Sequence, residues 1–148
     1  MVAPWRDTGP QAKSVPLLSL SSMTVPNQEP SMTIHNALAS LAVRDIASAR
    51  DWYQKLLGQV GSMPMPEVVE WTFAGGGGLQ VYALAQRAGH GSCTLEVEDI
   101  ETIVRTLEAL GIDTSQRTSS NRVKTVMVTD PDGNHIAFAQ AIDPSLAR

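Results

Sequence analysis

Apolar and polar residues along this chain follow two rhythms, a period of two and a period of 3.6, in an order that occurs twice. Residues 35–43 alternate loosely, with Leu41 and Val43 on one face and Ser40 and Ala42 on the other, which predicts a strand. Asp45 is a good N-cap for the helix that Ile46, Ala49, Trp52, Tyr53, Leu56 and Leu57 outline, and Gly58 stands where a left-handed C-terminal residue is wanted. Two extended segments follow, residues 68–74 and 79–83, joined across Gly75–Gly78 by a hairpin turn. The plan then recurs. Cys93, Leu95 and Val97 oppose Ser92, Thr94 and Glu96, and Asp99 caps a helix striped by Ile100, Ile103, Val104, Leu107 and Leu110 that ends at Gly111. A weak strand at residues 114–118, a strong one at 123–129, a turn at Asp130-Pro131-Asp132-Gly133 and a last strand at 135–141 complete the second half.

The repeat is visible in the letters. Val43-Arg44-Asp45-Ile46 answers to Val97-Glu98-Asp99-Ile100, and Leu57-Gly58 to Leu110-Gly111. Each unit covers one sheet face with its own helix and leaves the other bare, so a duplicated fold is expected. The reading is an α+β protein of two tandem βαβββ modules, cupped mixed sheets with helices outside. Its divisions are a Pro-rich flexible tail over residues 1–31, a first module over 32–86 and a second over 87–148. Five of the nine prolines fall in that tail, where neither period survives. Trp5 could serve there as a docking anchor.

Composition narrows the partners. A formal charge of −4 with no basic patch argues against nucleic acid, and no segment has the length of a membrane span. The lone Cys93 allows no internal disulfide and faces the helix side by parity, as a small buried apolar residue would. Gly75–Gly78 is not followed by Lys and Ser or Thr, so a phosphate loop is not expected. A cytoplasmic location is expected.

With these motifs in view, the chain resembles the vicinal oxygen chelate superfamily, which holds glyoxalase I, bleomycin-resistance proteins and extradiol dioxygenases. The likeness runs from about Ile34 to Ala141. Its marks are Val43-Arg44-Asp45-Ile46 leading to Asp51-Trp52-Tyr53-Gln54-Lys55-Leu56-Leu57-Gly58, and Asp130-Pro131-Asp132-Gly133-Asn134 before the last strand. These residues are structural, and they speak for the fold more than for an activity. The resemblance implies four ligand positions in metal-using members, which fall here on Leu38, Gln80, Ser92 and Ala137. Leucine and alanine carry no donor atom, serine is a poor ligand, and only the Gln80 amide oxygen could bind an ion, where a catalytic site needs about three protein ligands. No metal and no cofactor are expected. A displaced set of His90, His135 and Glu96 is the alternative, against a plainer reading of these histidines as rim residues near turns.

Strand parity then gives a ligand pocket of Leu38, Ser40, Trp71, Gln80, Tyr82, Ser92, Thr94, Met127, His135 and Ala137, small at the former ligand positions, with Trp71 and Tyr82 as aromatic walls. The leading functional expectation is a metal-independent binding protein for a mostly apolar or aromatic small molecule. The alternative is a metal-free isomerase or lyase using Glu96 or His135 as acid or base. Whether any reaction is catalysed stays open. A third reading is an interaction module acting through the tail or a sheet edge. A homodimer is expected, because the resemblance implies paired modules and the sheet edges lie open.

Overall fold

The alternation that begins the first module becomes strand β1 (Leu38–Val43), three residues shorter at its start than the pattern implied. The computed structural model describes residues 32–147, of which 36–147 belong to one compact unit. The expected tail, with Trp5, lies outside the described residues. After β1 come α1 (Ile46–Leu57), β2 (Ser62–Met65), β3 (Val68–Thr72) and β4 (Gly78–Ala83). The second module runs β5 (Ser92–Glu96), α2 (Ile100–Ala109), β6 (Gln116–Ser119), β7 (Val123–Thr129) and β8 (His135–Ala141). A 3₁₀ turn at Ala85–Arg87 leads out of β4, and another at Pro144–Leu146 follows β8.

Both helices start as their sequences dictate. The Asp45 carboxylate accepts from the Ser48 backbone N–H at 3.1 Å and from the Ser48 hydroxyl, and Asp99 accepts from Glu101 N–H at 3.1 Å and Thr102 Oγ1 at 2.6 Å. The side-chain hydrogen bonds of Ser48 and Thr102 hold these two carboxylates below their ordinary pKa. α1 ends on Gly58 at φ 69°, a conformation that a Cβ would strain.

The strands form two four-stranded mixed sheets, ordered β1-β4-β3-β2 and β5-β8-β7-β6. The first strand of each pairs parallel with the last, and the other pairs are antiparallel. The chain is therefore two βαβββ modules. β2 carried no alternation to mark it: all four of its residues are exposed, it includes Pro64, and its register with β3 shifts. Those are the habits of an edge strand. β6 lies two residues later at its start than expected and is equally exposed.

One continuous core lies between sheets and helices. Leu41, Val43, Val69, Trp71, Leu79 and Val81 pack with Ala49, Tyr53 and Leu56 of α1, while Val126, Val128, Ile136 and Phe138 pack with Ile100, Val104 and Leu107 of α2. Here the structure corrects the sequence reading of Trp71. Its β3 register places it opposite Leu79, on the helix side, and it is 1% exposed. Its ring lies 5.9 Å from that of Tyr53 and its indole N–H donates to Gln59 O at 3.0 Å. The hairpin length decided this. Thr72 pairs with Gly78, and the turn closes through Phe73 N–H to Gly77 O and Gly76 N–H to Phe73 O. Glu70 takes the open face instead.

The modules are joined through the turn before β8. Asp130 is 3% exposed, and its carboxylate accepts from the backbone N–H groups of Asp132, Gly133 and Asn134, from Asn134 Nδ2 at 2.8 Å, and from the Tyr53 hydroxyl of α1 at 2.7 Å. Asn134, fully buried, donates to Ala42 O of β1 and accepts from Gly91 N–H. Burial first, and then Asp130, push the Tyr53 phenol well above its ordinary value of 10. A raised folded-state pKa stabilises the fold below about pH 10 and loses that contribution as pH rises further, because only the unfolded chain can then shed the proton. Tyr53→Phe should lower the unfolding free energy at neutral pH by about 1–3 kcal/mol, the cost of an abandoned buried acceptor, and should flatten the alkaline decline. Urea denaturation at pH 7 and across pH 9–11 would read both effects.

Candidate functional site

Opposite the helices, each sheet presents an open face whose rows follow from strand register. In the first sheet the rows are Leu38–Gly78–Thr72, Ser40–Gln80–Glu70 and Ala42–Tyr82–Val68. In the second they are Ser92–His135–Thr129, Thr94–Ala137–Met127 and Glu96–Ala139–Thr125. Nine of the ten residues assigned to the pocket by parity stand on these faces, and Trp71 does not.

The middle rows occupy equivalent places and differ in chemistry. In the first sheet the row is a hydrogen-bonded chain: Ser40 Oγ donates to Gln80 Oε1 at 3.2 Å, and Gln80 Nε2 donates to Glu70 Oε1 at 2.9 Å. In the second sheet the same places hold Thr94, Ala137 and Met127, with only the threonine polar. Glu70 was missed by sequence reasoning. Placing Trp71 on the open side hid it, and the signal that could have recovered it was the turn length.

A concavity of about 500 Å³ opens on this side of the first module, lined by Ser40, Ala42, Tyr82, Gln86, Arg87, His90 and Gly91. Of the pocket residues assigned by parity, it gathers Ser40 and Tyr82. Leu38, Ser92, Thr94 and His135 are exposed outside it, and Gln80, Met127 and Ala137 are half-buried on their rows. Gln86, Arg87 and Gly91 come from the connection between modules, where no periodicity exists to read. The wall is polar, with Tyr82 its aromatic residue, so the expectation of a mostly apolar lining is corrected. A smaller hollow of about 150 Å³ lies between the start of α1 and the Asp130 turn, next to the Arg44–Asp132 ion pair of 3.4 Å. Its polar groups are engaged, Asp45 and Ser48 in capping α1, and Arg44, Tyr53, Asp130 and Asp132 in joining the modules.

The weaker candidates are dispersed. His135 pairs with Ser92 and Glu96 with Ala139. That puts them four residues apart along the β5–β8 pair, about 13 Å, too far to act on one group. Burial pushes the Cys93 thiol up to about 11, so little of it is a nucleophilic thiolate at neutral pH.

The fold compares directly with known proteins. The family model of the Glyoxalase/Bleomycin resistance protein/Dioxygenase superfamily matches residues 33–138. The chain belongs to this superfamily. Among solved structures, it is similar to a glyoxalase/bleomycin resistance protein from Catenulispora acidiphila at 30% identity and a TM-score of 0.65, over 75% of this chain and 99% of that one. TnmS3, an antibiotic binding protein from Streptomyces sp. CB03234, shares 21% identity with a TM-score of 0.63, over 76% and 99% of the two chains. A lactoylglutathione lyase from Agrobacterium tumefaciens shares 18% with a TM-score of 0.60, over 76% and 96%. The last two likenesses show the fold alone. No curated protein sequence matches the chain significantly.

The superfamily includes metal-using enzymes, and the residues here do not fit a metal. Leu38 and Ala137 offer no donor, and both ends of the Gln80 amide are engaged within its row. Among the described residues, no three His, Cys, Asp or Glu side chains come together as an ion would require.

The burial of Trp71 generates a test. Trp71→Phe should cost about 2–4 kcal/mol of stability, through a lost ring volume and an unpartnered Gln59 carbonyl, in a denaturant titration. Dissociation constants for molecules bound in the concavity should stay unchanged.

Proposed function

We propose that this superfamily member is a metal-independent binding protein for a small molecule held on the open face of the first sheet. The observation that carries the reading is the Ser40–Gln80–Glu70 chain. It turns the row where metal-using relatives place a ligand into a fixed ladder of hydrogen-bonding groups. A ladder of this kind orients a ligand's polar edge, while Ala42 and Tyr82 offer it a small apolar floor with one ring to stack on. The ligand is a flat molecule that stacks one face on Tyr82 and sets polar groups against the row and the polar wall. No protein atom in the reading is asked to break a bond.

The binding form is a homodimer. β2 is the outer strand of its sheet and carries Met63 and Met65, 42% and 57% exposed. An exposed edge of that kind suits a second copy. No helix among the described residues is long and apolar enough to cross a membrane, and a cytoplasmic location accords with a chain that has a single cysteine and no internal disulfide framework.

Two measurements test this. Protein purified without a metal-affinity tag should carry no stoichiometric metal by elemental analysis, and titration with nickel, zinc, iron and manganese ions should give no binding tighter than micromolar; one equivalent of bound ion would overturn the reading. Light scattering behind a sizing column should return twice the chain mass of 15.9 kDa. Met65→Lys should shift that mass towards the monomer, and a monomer in the unaltered protein would remove the dimer.

A further inference from the structure

The connection between the modules is built like a functional element. Leaving β4, Leu84 N–H donates to Val43 O at 2.9 Å, and the 3₁₀ turn closes with Arg87 N–H to Leu84 O at 3.1 Å and His90 N–H to Arg87 O at 3.3 Å. Ala88 is 4% exposed and pins the middle of the segment into the fold. Gly89 sits at φ 84° with its Cα against the Asp132 carbonyl, so tightly that a Cβ could not fit. Gly91 donates to Asn134 Oδ1 and accepts from His135 N–H. The backbone carrying Gln86, Arg87 and His90 is thus held on both sides, by β1 and by the Asp130 turn.

These held positions bring a particular chemistry to the concavity. Its lining offers the guanidinium of Arg87, the imidazole of His90, the amide of Gln86 and the hydroxyls of Ser40 and Tyr82, and no carboxylate. The chain as a whole carries a charge of −4, so a wall whose titratable groups are Arg, His and Tyr departs from the composition around it. The ion pairs among the described residues engage Arg44, Arg50, Arg117 and Arg122, and Arg87 is in none of them. The corresponding turn after β8, Pro144–Leu146, has neither Arg nor His and is capped by Asp143. The basic pair belongs to one module alone. Packing of the duplicated fold therefore does not require it.

We propose that Arg87, with His90 and the Tyr82 hydroxyl, forms an oxyanion subsite, and that the ligand carries a carboxylate or phosphoryl group at this end. This rests on the small-molecule binding reading above and adds the ligand's charge to it. A guanidinium fork matches either oxyanion in a bidentate geometry, and neighbouring hydrogen-bonding groups complete the shell. The apolar body of the ligand then lies over Ala42 and against the Tyr82 ring, and its far edge reaches Ser40.

Three probes of one shape separate the claims: 2-naphthamide, 2-naphthoate and 2-naphthyl phosphate, titrated calorimetrically into the full chain and its variants. One or both acids should bind about tenfold more tightly than the amide. In Arg87→Gln that advantage should disappear, with the two acids binding no more tightly than the amide, and Arg87→Lys should restore part of it. Arg87 is exposed and its side chain makes no hydrogen bond or ion pair, so the variants should match the parent in circular dichroism and melting. Equal binding of all three probes to the unaltered protein, or an acid preference that survives Arg87→Gln, overturns the subsite and leaves the pocket standing. Failure of all three to bind overturns both.

Discussion

The buried carboxylate of Asp130 is the constraint on which the rest of this structure depends. Removing a charge from water costs several kcal/mol unless the protein replaces the lost solvation, and here five donors do so. Three come from its own turn, one from Asn134, and one from Tyr53 in the other module. The neighbouring Asn134 extends the network to β1 and to the connection. A group so placed can be satisfied only when the two modules are docked in one way. Fold specificity and site geometry are therefore coupled, because the same network that closes the core positions Gly89 and Gly91, and with them the basic residues that border the concavity.

Duplication explains why one protein carries two open faces of such different character. Both modules inherit the same strand order and pairing, so equivalent positions meet equivalent neighbours. Selection on the helix side is for volume, and both modules keep aliphatic residues there. The open sides are released from that demand and have diverged, one to a hydrogen-bonded row of Ser40, Gln80 and Glu70, the other to Thr94, Ala137 and Met127. In metal-using members of the superfamily, an ion ties the faces together by coordination. Here the donor set does not suit an ion, and one face carries a directional hydrogen-bonded row at the equivalent place.

The distribution of charge fits that picture. Acidic residues dominate the chain as a whole, and a basic pair is confined to a short rigid turn beside Tyr82. Charge at a concave wall acts on a ligand over a few ångströms, where the diffuse charge of the remaining surface is screened. The chain's acidity thus sets its solubility and disfavours polyanions, without deciding what a pocket can hold.

Most of the architecture was legible in the letters. Helix ends at Asp45, Gly58, Asp99 and Gly111, strands at 123–129 and 135–141, a strand from residue 92 that stops one residue short of the expected Val97, and the repeat linking Val43 to Val97 all follow from local capping and from periodicities that hold over short distances. Edge strand β2 was not marked, since an exposed strand has no buried face to impose alternation. Nine of the ten residues that parity grouped together, from Leu38 to Ala137, share the faces opposite the helices. Parity failed at Trp71 because one residue of turn length inverts a strand, and only cross-strand pairing with Leu79 settles which side is inward. The concavity itself lay beyond the sequence for a related reason. Gln86 and Arg87 belong to a connection whose path is fixed by contacts with Asp132 and Asn134, 43 residues beyond the glycines they touch, and no local pattern encodes a partner that distant.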